Sequence, residues 1–213
     1  MSDYKFEAFE QLAQTLIHRL SARRMEAQYV ASAEEAKKEI LKQIPAGSGI
    51  TWGGSQTLLD AGILDAVKSA GTYDIIDRET AKTPEEKRQM LGKQMVSDYF
   101  LMSTNAITLD GQLVNIDGRG NRTAFLICGP EHVFVVCGRN KVAPDVESAI
   151  KRVRNIATPA NTRRLHLDTP CAKVGCCMDC LDHSICNQIV ITRACSGPAG
   201  RIKVFLVNED LGY

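Results

Sequence analysis

The sequence predicts an α/β protein in which a parallel, Rossmann-like sheet is flanked by helices. Three observations predict this fold: strand and helix patterns alternate through roughly the first 100 residues, the strands are short and apolar, and several helices begin with capping signals. The chain has 213 residues, of which 44% are hydrophobic and 24% charged, as in an ordinary globule with a buried core. No repeat or low-complexity linker divides it, so residues 1–213 are expected to form one domain.

The first half of the chain supplies the alternation. Apolar residues three or four apart from Phe6 to Leu20 predict an N-terminal helix. Capping boxes at Ser32–Glu35 and Thr83–Glu86 predict two more helices. The short strands predicted between the helices are Ala27–Val30, Ile50–Trp52 and Tyr73–Ile76.

The second half begins with strands joined by turns. The turn dipeptides are Asp110-Gly111, Asp117-Gly118 and Gly129-Pro130. The apolar runs Phe125–Cys128 and Val133–Cys137 predict strands that are buried on both faces. A helix over Asp145–Ala157, a cysteine-rich insertion over about residues 169–187, and the strands Gln188–Thr192 and Ile202–Val207 complete the prediction.

Charge and hydropathy exclude several partners. Lys and Arg number 26 and Asp and Glu 25, so a formal net charge of +1 provides no global field for nucleic acid or an anionic membrane surface. No window approaches 18 apolar residues, which argues against a membrane span. The segment Met1–Glu7 is acidic and amphipathic, unlike a secretory signal, so we expect a cytoplasmic protein with reduced thiols.

A glycine-rich loop follows the second predicted strand. Its residues are Gly53, Gly54, Ser55, Gln56 and Thr57. Glycines permit a tight turn and a close approach of the backbone to a ligand. The loop lacks the Gly-Lys-Ser/Thr of a Walker motif and the three-glycine dinucleotide fingerprint. A capped strand-to-helix turn and a phosphate or carboxylate site at a strand's carboxyl end are equally good interpretations.

Polar residues cluster in the centre of the chain. The run Asn115–Arg122 contains Asp117, Arg119 and Arg122 among glycines. It is either a set of solvated turns or an anion site in which the arginines bind the anion and Asp117 acts as a base or orients an arginine. Asn105 lies in a polar turn just upstream and is a further candidate for binding the anion. Lys141 directly follows a predicted buried strand. Three interpretations stay open: a contact to phosphate, a buried amine with a lowered pKa, or an ordinary surface lysine. A cluster of similar type spans residues 161–164.

Five of the eight cysteines fall between residues 171 and 186. Cys171, Cys177, Cys180 and Cys186 have the spacing Cys-x5-Cys-x2-Cys-x5-Cys, which suits zinc or an iron–sulfur centre. Cys176 is an additional thiol, and His183 or Asp179 is a candidate replacement for one sulfur. Plain reduced thiols and a redox-active disulfide remain alternatives.

Taken together, several of these motifs resemble the lactate-utilisation (LUD) domain family. The likeness extends over most of the chain, with Cys176 as a departure from the expected pattern. The motifs that carry it are Ser103–Thr108, Asp110-Gly111, Leu113–Arg122, Gly138–Lys141, Thr169–Cys171, Cys177–Cys180, Ile185–Asn187 and Val207–Tyr213.

The resemblance implies a fold similar to ribose-5-phosphate isomerase, glucosamine-phosphate deaminase and the CoA transferases. In that superfamily a glycine loop binds phosphate or acyl-CoA, and Gly53, Gly54, Ser55 and Thr57 match it by position. The family implies an auxiliary role in oxidation of L-lactate to pyruvate beside iron–sulfur subunits. A stand-alone enzyme acting on a sugar phosphate, acyl-CoA or folate-like substrate, and a metal- or redox-sensing protein, are the alternatives, and a homo-oligomer remains open.

Overall fold

The computed structural model describes residues 4–213, and its centre is a six-stranded parallel sheet. The first three residues of the predicted N-terminal segment therefore lie outside the described part. The strands, numbered in chain order, lie side by side as β1 (Glu26–Val30), β10 (Ile202–Val207), β7 (His132–Gly138), β4 (Tyr99–Ser103), β2 (Gly49–Trp52) and β3 (Asp74–Ile75). All five neighbouring pairs are parallel, which confirms the predicted fold class.

Helices connect these strands and cover both faces of the sheet. The first five are α1 (Tyr4–Ala22), α2 (Ala33–Gln43), α3 (Gln56–Asp60), α4 (Ile63–Ser69) and α5 (Pro84–Met95). The later ones are α6 (Asn121–Ile127), α7 (Val146–Arg152), α8 (Thr158–Arg164) and α9 (Pro170–Val174). A π-helical turn over Val153–Ala157 joins α7 to α8, so the helix predicted to end at Ala157 continues to Arg164.

Alternate residues of the buried strands contribute to two separate cores. Phe100 and Met102 pack on one face with Leu16 and Leu20 of α1. Leu101, between them, packs on the opposite face within the core that includes residues of α2 and α4. Because a strand presents successive side chains to opposite faces, a sheet covered on both sides needs uninterrupted apolar strands, as the sequence shows here.

A smaller second sheet lies beyond the carboxyl ends of β4 and β7. Its order is β8 (Val142–Ala143), β5 (Ala106–Thr108), β6 (Leu113–Asp117) and β9 (Gln188–Thr192). β5 pairs in parallel with β8 and antiparallel with β6, which in turn pairs antiparallel with β9. Since β5 follows β4 directly and β8 follows β7, this sheet covers the edge where α/β proteins usually bind ligands.

The predicted helix starts are confirmed. Ser32 accepts a hydrogen bond from the backbone N–H of Glu35 at the start of α2. Thr83 and Glu86 form a complete capping box at the start of α5, with Pro84 in the first turn.

Two local predictions were wrong. Phe125–Cys128 is not a strand: Phe125 and Leu126 are buried on one side of α6, whereas Ile127 is 54% exposed. A short apolar run does not distinguish a strand from the buried side of a short helix. Asp117-Gly118 likewise does not close a hairpin, because β6 ends at Asp117 and the chain continues into α6.

Within residues 4–213, none of the helices combines the length and apolarity needed to span a membrane.

Candidate functional site

A polar cavity of about 270 Å³ opens at the carboxyl ends of β2 and β4. Four parts of the chain line it: the loop after β2, the connection from β4 to β5, the end of β6, and the π-helical turn with α8. Lys141 and Tyr213 also contribute to its wall. The fold therefore gathers most of the polar motifs of the sequence around one space.

Lys141 is the buried cation of this cavity. Only 4% of the surface of Lys141 is exposed. Its Nζ donates hydrogen bonds to Thr57 Oγ1 (2.8 Å) and Ser103 Oγ (3.1 Å). Among residues 4–213, no carboxylate forms an ion pair with it. Burial, assisted by nearby Arg152 and Arg122, lowers the pKa of Lys141 to about 8, against the opposing influence of Cys137 and Asp60.

The two hydroxyl partners determine how the Lys141 nitrogen is oriented. Thr57 donates its own proton to the carbonyl of Leu211 (3.3 Å), and Ser103 donates to the carbonyl of Thr104 (3.1 Å). Each hydroxyl therefore accepts from Lys141, which leaves one of the three positions on the nitrogen without a partner in the described chain. A small anion in the cavity can complete that third hydrogen bond.

Asp117 and Arg122, both sequence candidates, form a nearly buried ion pair at the cavity wall. Their closest atoms, Arg122 Nη2 and Asp117 Oδ1, are 2.7 Å apart, and Asp117 Oδ2 accepts from the backbone N–H of Thr123 at 3.0 Å. All five guanidinium N–H groups have acceptors within the protein: Asp117, Asn115, Asn105 and the carbonyls of residues 103 and 116. Arg122 therefore holds the connection after β4 and the end of β6 together.

Asn105 lies in the same network. Its Oδ1 accepts from Arg122 Nη2 (2.8 Å) and from the N–H of Ile116 (2.9 Å), while Arg152 donates to its backbone carbonyl (2.9 Å). Its amide nitrogen has no protein acceptor in the described part of the chain and is free to donate to a ligand.

The glycine loop divides into two parts. Gly53 is buried, and a Cβ there would lie 3.1 Å from Cγ of Arg122 and 3.3 Å from Phe100, so this glycine is needed for close packing. Gly54 is exposed and lines the cavity together with Ser55, Gln56 and Thr57. Ser55 is the N-cap of α3, where its oxygen accepts from the N–H of Leu58. The capped turn is thus present, while anion binding by this loop stays a prediction.

The structure separates two of the arginines that the sequence highlighted. Arg119 is exposed and lies outside the cavity. Arg164 of α8 lines the cavity and donates to Asn161 (2.7 Å), another residue of the wall. Arg119 was a predicted site residue, whereas Arg164 and Asn161 were noted only as part of the polar cluster over residues 161–164.

Sequence reasoning also did not single out Ser103 and Thr158 as site residues. Ser103 is the last residue of a buried strand, and polar residues at strand carboxyl ends were the signal that would have found it. Thr158 gave no such signal, because it is the first residue of α8, directly after a π-helical turn that has no sequence signature.

The cysteine-rich segment packs against one side of the cavity. Cys171 is buried, with its sulfur 3.3 Å from Thr169 Oγ1 and 3.6 Å from Thr162 Oγ1. Cys186 contacts Thr158 (3.6 Å), and burial, with nearby Cys171 and Cys177, raises the pKa of its thiol. Cys177 accepts from the N–H of Asp179 and is only partly buried, while Cys176 is exposed.

The metal-ligand set does not come together in this arrangement. The described residues include no group of three or more His, Cys, Asp or Glu side chains placed to hold a metal ion, and all eight cysteines are unpaired thiols. His183 and Cys180 lie on the same segment and join no such group. In this conformation the described cysteines do not fit a zinc or iron–sulfur centre. Metal binding by this segment is supported only by the cysteine spacing and stays a prediction.

The fold and the cavity define an α/β domain with a small, open cavity lined by polar groups at the carboxyl ends of a parallel sheet. The chain belongs to the LUD domain family, whose model matches residues 13–207. This agrees with the family resemblance of the sequence motifs, and it supports a lactate-utilisation-related domain.

A comparison with solved structures supports the same fold. A DUF162 family protein from Deinococcus radiodurans is similar, with a TM-score of 0.53 and 14% sequence identity over 93% of this chain and 97% of that one. At this identity the likeness concerns the fold alone. A search of curated proteins gave no match.

Proposed function

We propose that this LUD-domain protein binds a small organic anion beside Lys141 and acts as an auxiliary component of cytosolic lactate utilisation. In that role it accompanies iron–sulfur partners in the oxidation of L-lactate to pyruvate. The observation that carries the proposal is the burial of an ammonium group in the wall of an open polar cavity, where no carboxylate of residues 4–213 forms an ion pair with it.

A buried cation without a counter-ion is unfavourable unless something compensates it. Thr57 and Ser103 supply two acceptors but no negative charge. An anion in the cavity supplies the charge and the third acceptor together. Exposed Arg164, the Ser55 hydroxyl and the free amide nitrogen of Asn105 are further donors on the same walls.

The size of the cavity favours a small ligand. Pockets for drug-sized molecules span roughly 300–1,000 Å³, and this cavity of about 270 Å³ lies just below that range. A hydroxy acid, an oxo acid or inorganic phosphate fits within it, whereas most of an acyl-CoA would lie outside. This favours the lactate-related function over the alternative of a CoA-dependent enzyme.

A thermal-shift series tests the proposal. L-lactate, pyruvate, inorganic phosphate, ribose 5-phosphate and CoA are each added to the wild-type chain, because a ligand that binds only the folded state raises the melting temperature. We expect a shift with the small carboxylates, and loss of that shift in Lys141→Met but not in the matched surface control Lys173→Met. A shift with ribose 5-phosphate or CoA alone would favour the stand-alone enzyme, and no shift with any anion would overturn the proposal.

A further inference from the structure

The amine of Lys141 is arranged for covalent chemistry as well as for charge. We propose that Lys141 captures a 2-oxo acid as a Schiff base, with the cavity holding the carboxylate of that ligand. This inference rests on the proposed function, since it names the class of anion and the bond that the same site forms.

The first argument is the orientation of the nitrogen. Because Thr57 and Ser103 both give their protons to backbone carbonyls, each accepts one N–H from Lys141. In the unprotonated amine both N–H bonds are then committed, so the lone pair occupies the position that has no protein partner. Lys141 lines the cavity, where a ligand carbonyl carbon can meet that lone pair.

The second argument concerns protonation. The groups that face Lys141 are Asp60 on α3, Cys137 on β7, Arg122 on α6 and Arg152 on α7. Neither arginine is a proton donor at neutral pH, and none of the four forms an ion pair with Lys141. With its pKa lowered to about 8, the nitrogen is partly unprotonated near neutral pH, as a nucleophilic lysine requires.

The third argument is the choice of electrophile. A 2-oxo acid places a carbonyl next to a carboxylate in a molecule small enough for the cavity. Arg164 forms no ion pair within residues 4–213 and lines the same wall, so it is available to the carboxylate. A hydroxy acid such as lactate has the carboxylate but no carbonyl, and it can bind only non-covalently.

The step balances without any further reactant. The nitrogen lone pair forms the N–C bond while the carbonyl π electrons move to oxygen. The two amine protons then end on that oxygen, which leaves as water when the C–O bond breaks and the C=N bond forms. The imine takes one proton from solvent and remains as the iminium form.

Borohydride trapping tests the inference on the wild-type chain. Pyruvate is the probe, and borohydride adds hydride to the imine carbon to give a stable secondary amine. We expect a mass increase of one lactic acid less one water per chain, mapped by peptide mass spectrometry to Lys141. L-lactate should give no adduct, and trapping should increase between pH 7 and pH about 8 as the amine loses its proton.

The controls separate this inference from the proposed function. Lys141→Arg should lose the adduct while Lys151→Arg, at an exposed lysine paired with Glu147, should retain it. Site mapping on the wild-type chain keeps the test decisive even if Lys141→Arg folds poorly. Adducts confined to surface lysines, or no adduct despite a pyruvate-induced thermal shift, would overturn the Schiff base and leave anion binding intact. Absence of both the shift and the adduct would overturn the proposed function as well.

Discussion

Lys141 Nζ and Thr57 Oγ1 lie 2.8 Å apart although 84 positions separate the two residues in the chain. The contact joins the end of β7 to the start of α3, next to the last residues of the chain, because Thr57 also donates to the carbonyl of Leu211. Thr57 of the glycine loop and Ser103 at the end of β4 thus both bind the Lys141 ammonium group.

The lowered pKa of Lys141 makes stability depend on pH. The folded pKa of about 8 lies below the ordinary 10.5, so between these values the unfolded chain binds more protons than the folded chain. The free energy of unfolding should therefore rise with pH across this window, by at most about 3 kcal/mol for a shift of this size. Denaturant titrations of wild type and Lys141→Met measure the difference, and the variant should lack this part of the rise. Parallel curves for the two proteins would contradict the burial of a charged Lys141.

The Asp117–Arg122 pair should matter more for folding than for binding. Arg122→Met leaves Asp117 nearly buried without its partner, and we expect a loss of about 3–5 kcal/mol in the free energy of unfolding. Arg119→Met is the matched control, because Arg119 is exposed and should change stability by no more than about 0.5 kcal/mol. Urea titration compares the two. Similar losses for both variants would show that the network around Arg122 is not structural.

The two glycines of the loop should respond differently to alanine. Gly53→Ala brings a methyl group within 3.1–3.3 Å of Arg122 and Phe100, so we expect a loss of about 1–3 kcal/mol. At Gly54 the nearest atom is the flexible end of Arg78 at 3.2 Å, and the substitution should be tolerated.

The larger Gly54→Val should remove the anion-induced thermal shift while the fold stays intact. A retained shift in Gly54→Val would contradict anion binding at this loop.

The cysteines should differ widely in reactivity. Burial raises the pKa of the Cys137 thiol to about 11, which opposes formation of the reactive thiolate. Cys176, in contrast, is exposed. Brief alkylation of the native protein followed by peptide mass spectrometry should label Cys176 and spare Cys137, and both should react after unfolding. Equal labelling in the native state would contradict the burial of Cys137.

Much of the fold could be predicted because its signals are local. The capping residues Ser32 and Thr83 begin helices where the sequence predicts them, and the apolar strands are buried on both faces. The second sheet could not be predicted, because β6 and β9 are far apart in the chain, and their pairing places Asp117 opposite Gln188. Pairing between strands so far apart in the chain gives neither strand a sequence pattern that identifies its partner.

Some of the residues that line the cavity could be singled out from the sequence, but their hydrogen-bond partners could not. Lys141 was singled out as a lysine that directly follows a buried strand, and the structure buries it in the cavity wall. Arg122 carries the same charge in an equally polar motif, yet all its donors are used inside the protein. Lys141 uses two of its three donor positions on Thr57 and Ser103, and only the hydrogen-bond partners in the folded structure reveal this difference from Arg122.

Isothermal titration of wild type and Lys141→Met with pyruvate at pH about 7 tests the central claim most directly. Since a hydrogen bond to a charged group contributes about 1.5–3 kcal/mol, the variant should bind roughly 10- to 100-fold more weakly, with Lys173→Met indistinguishable from wild type. Equal affinity in wild type and Lys141→Met would contradict the assignment of the cavity cation as the ligand-binding group.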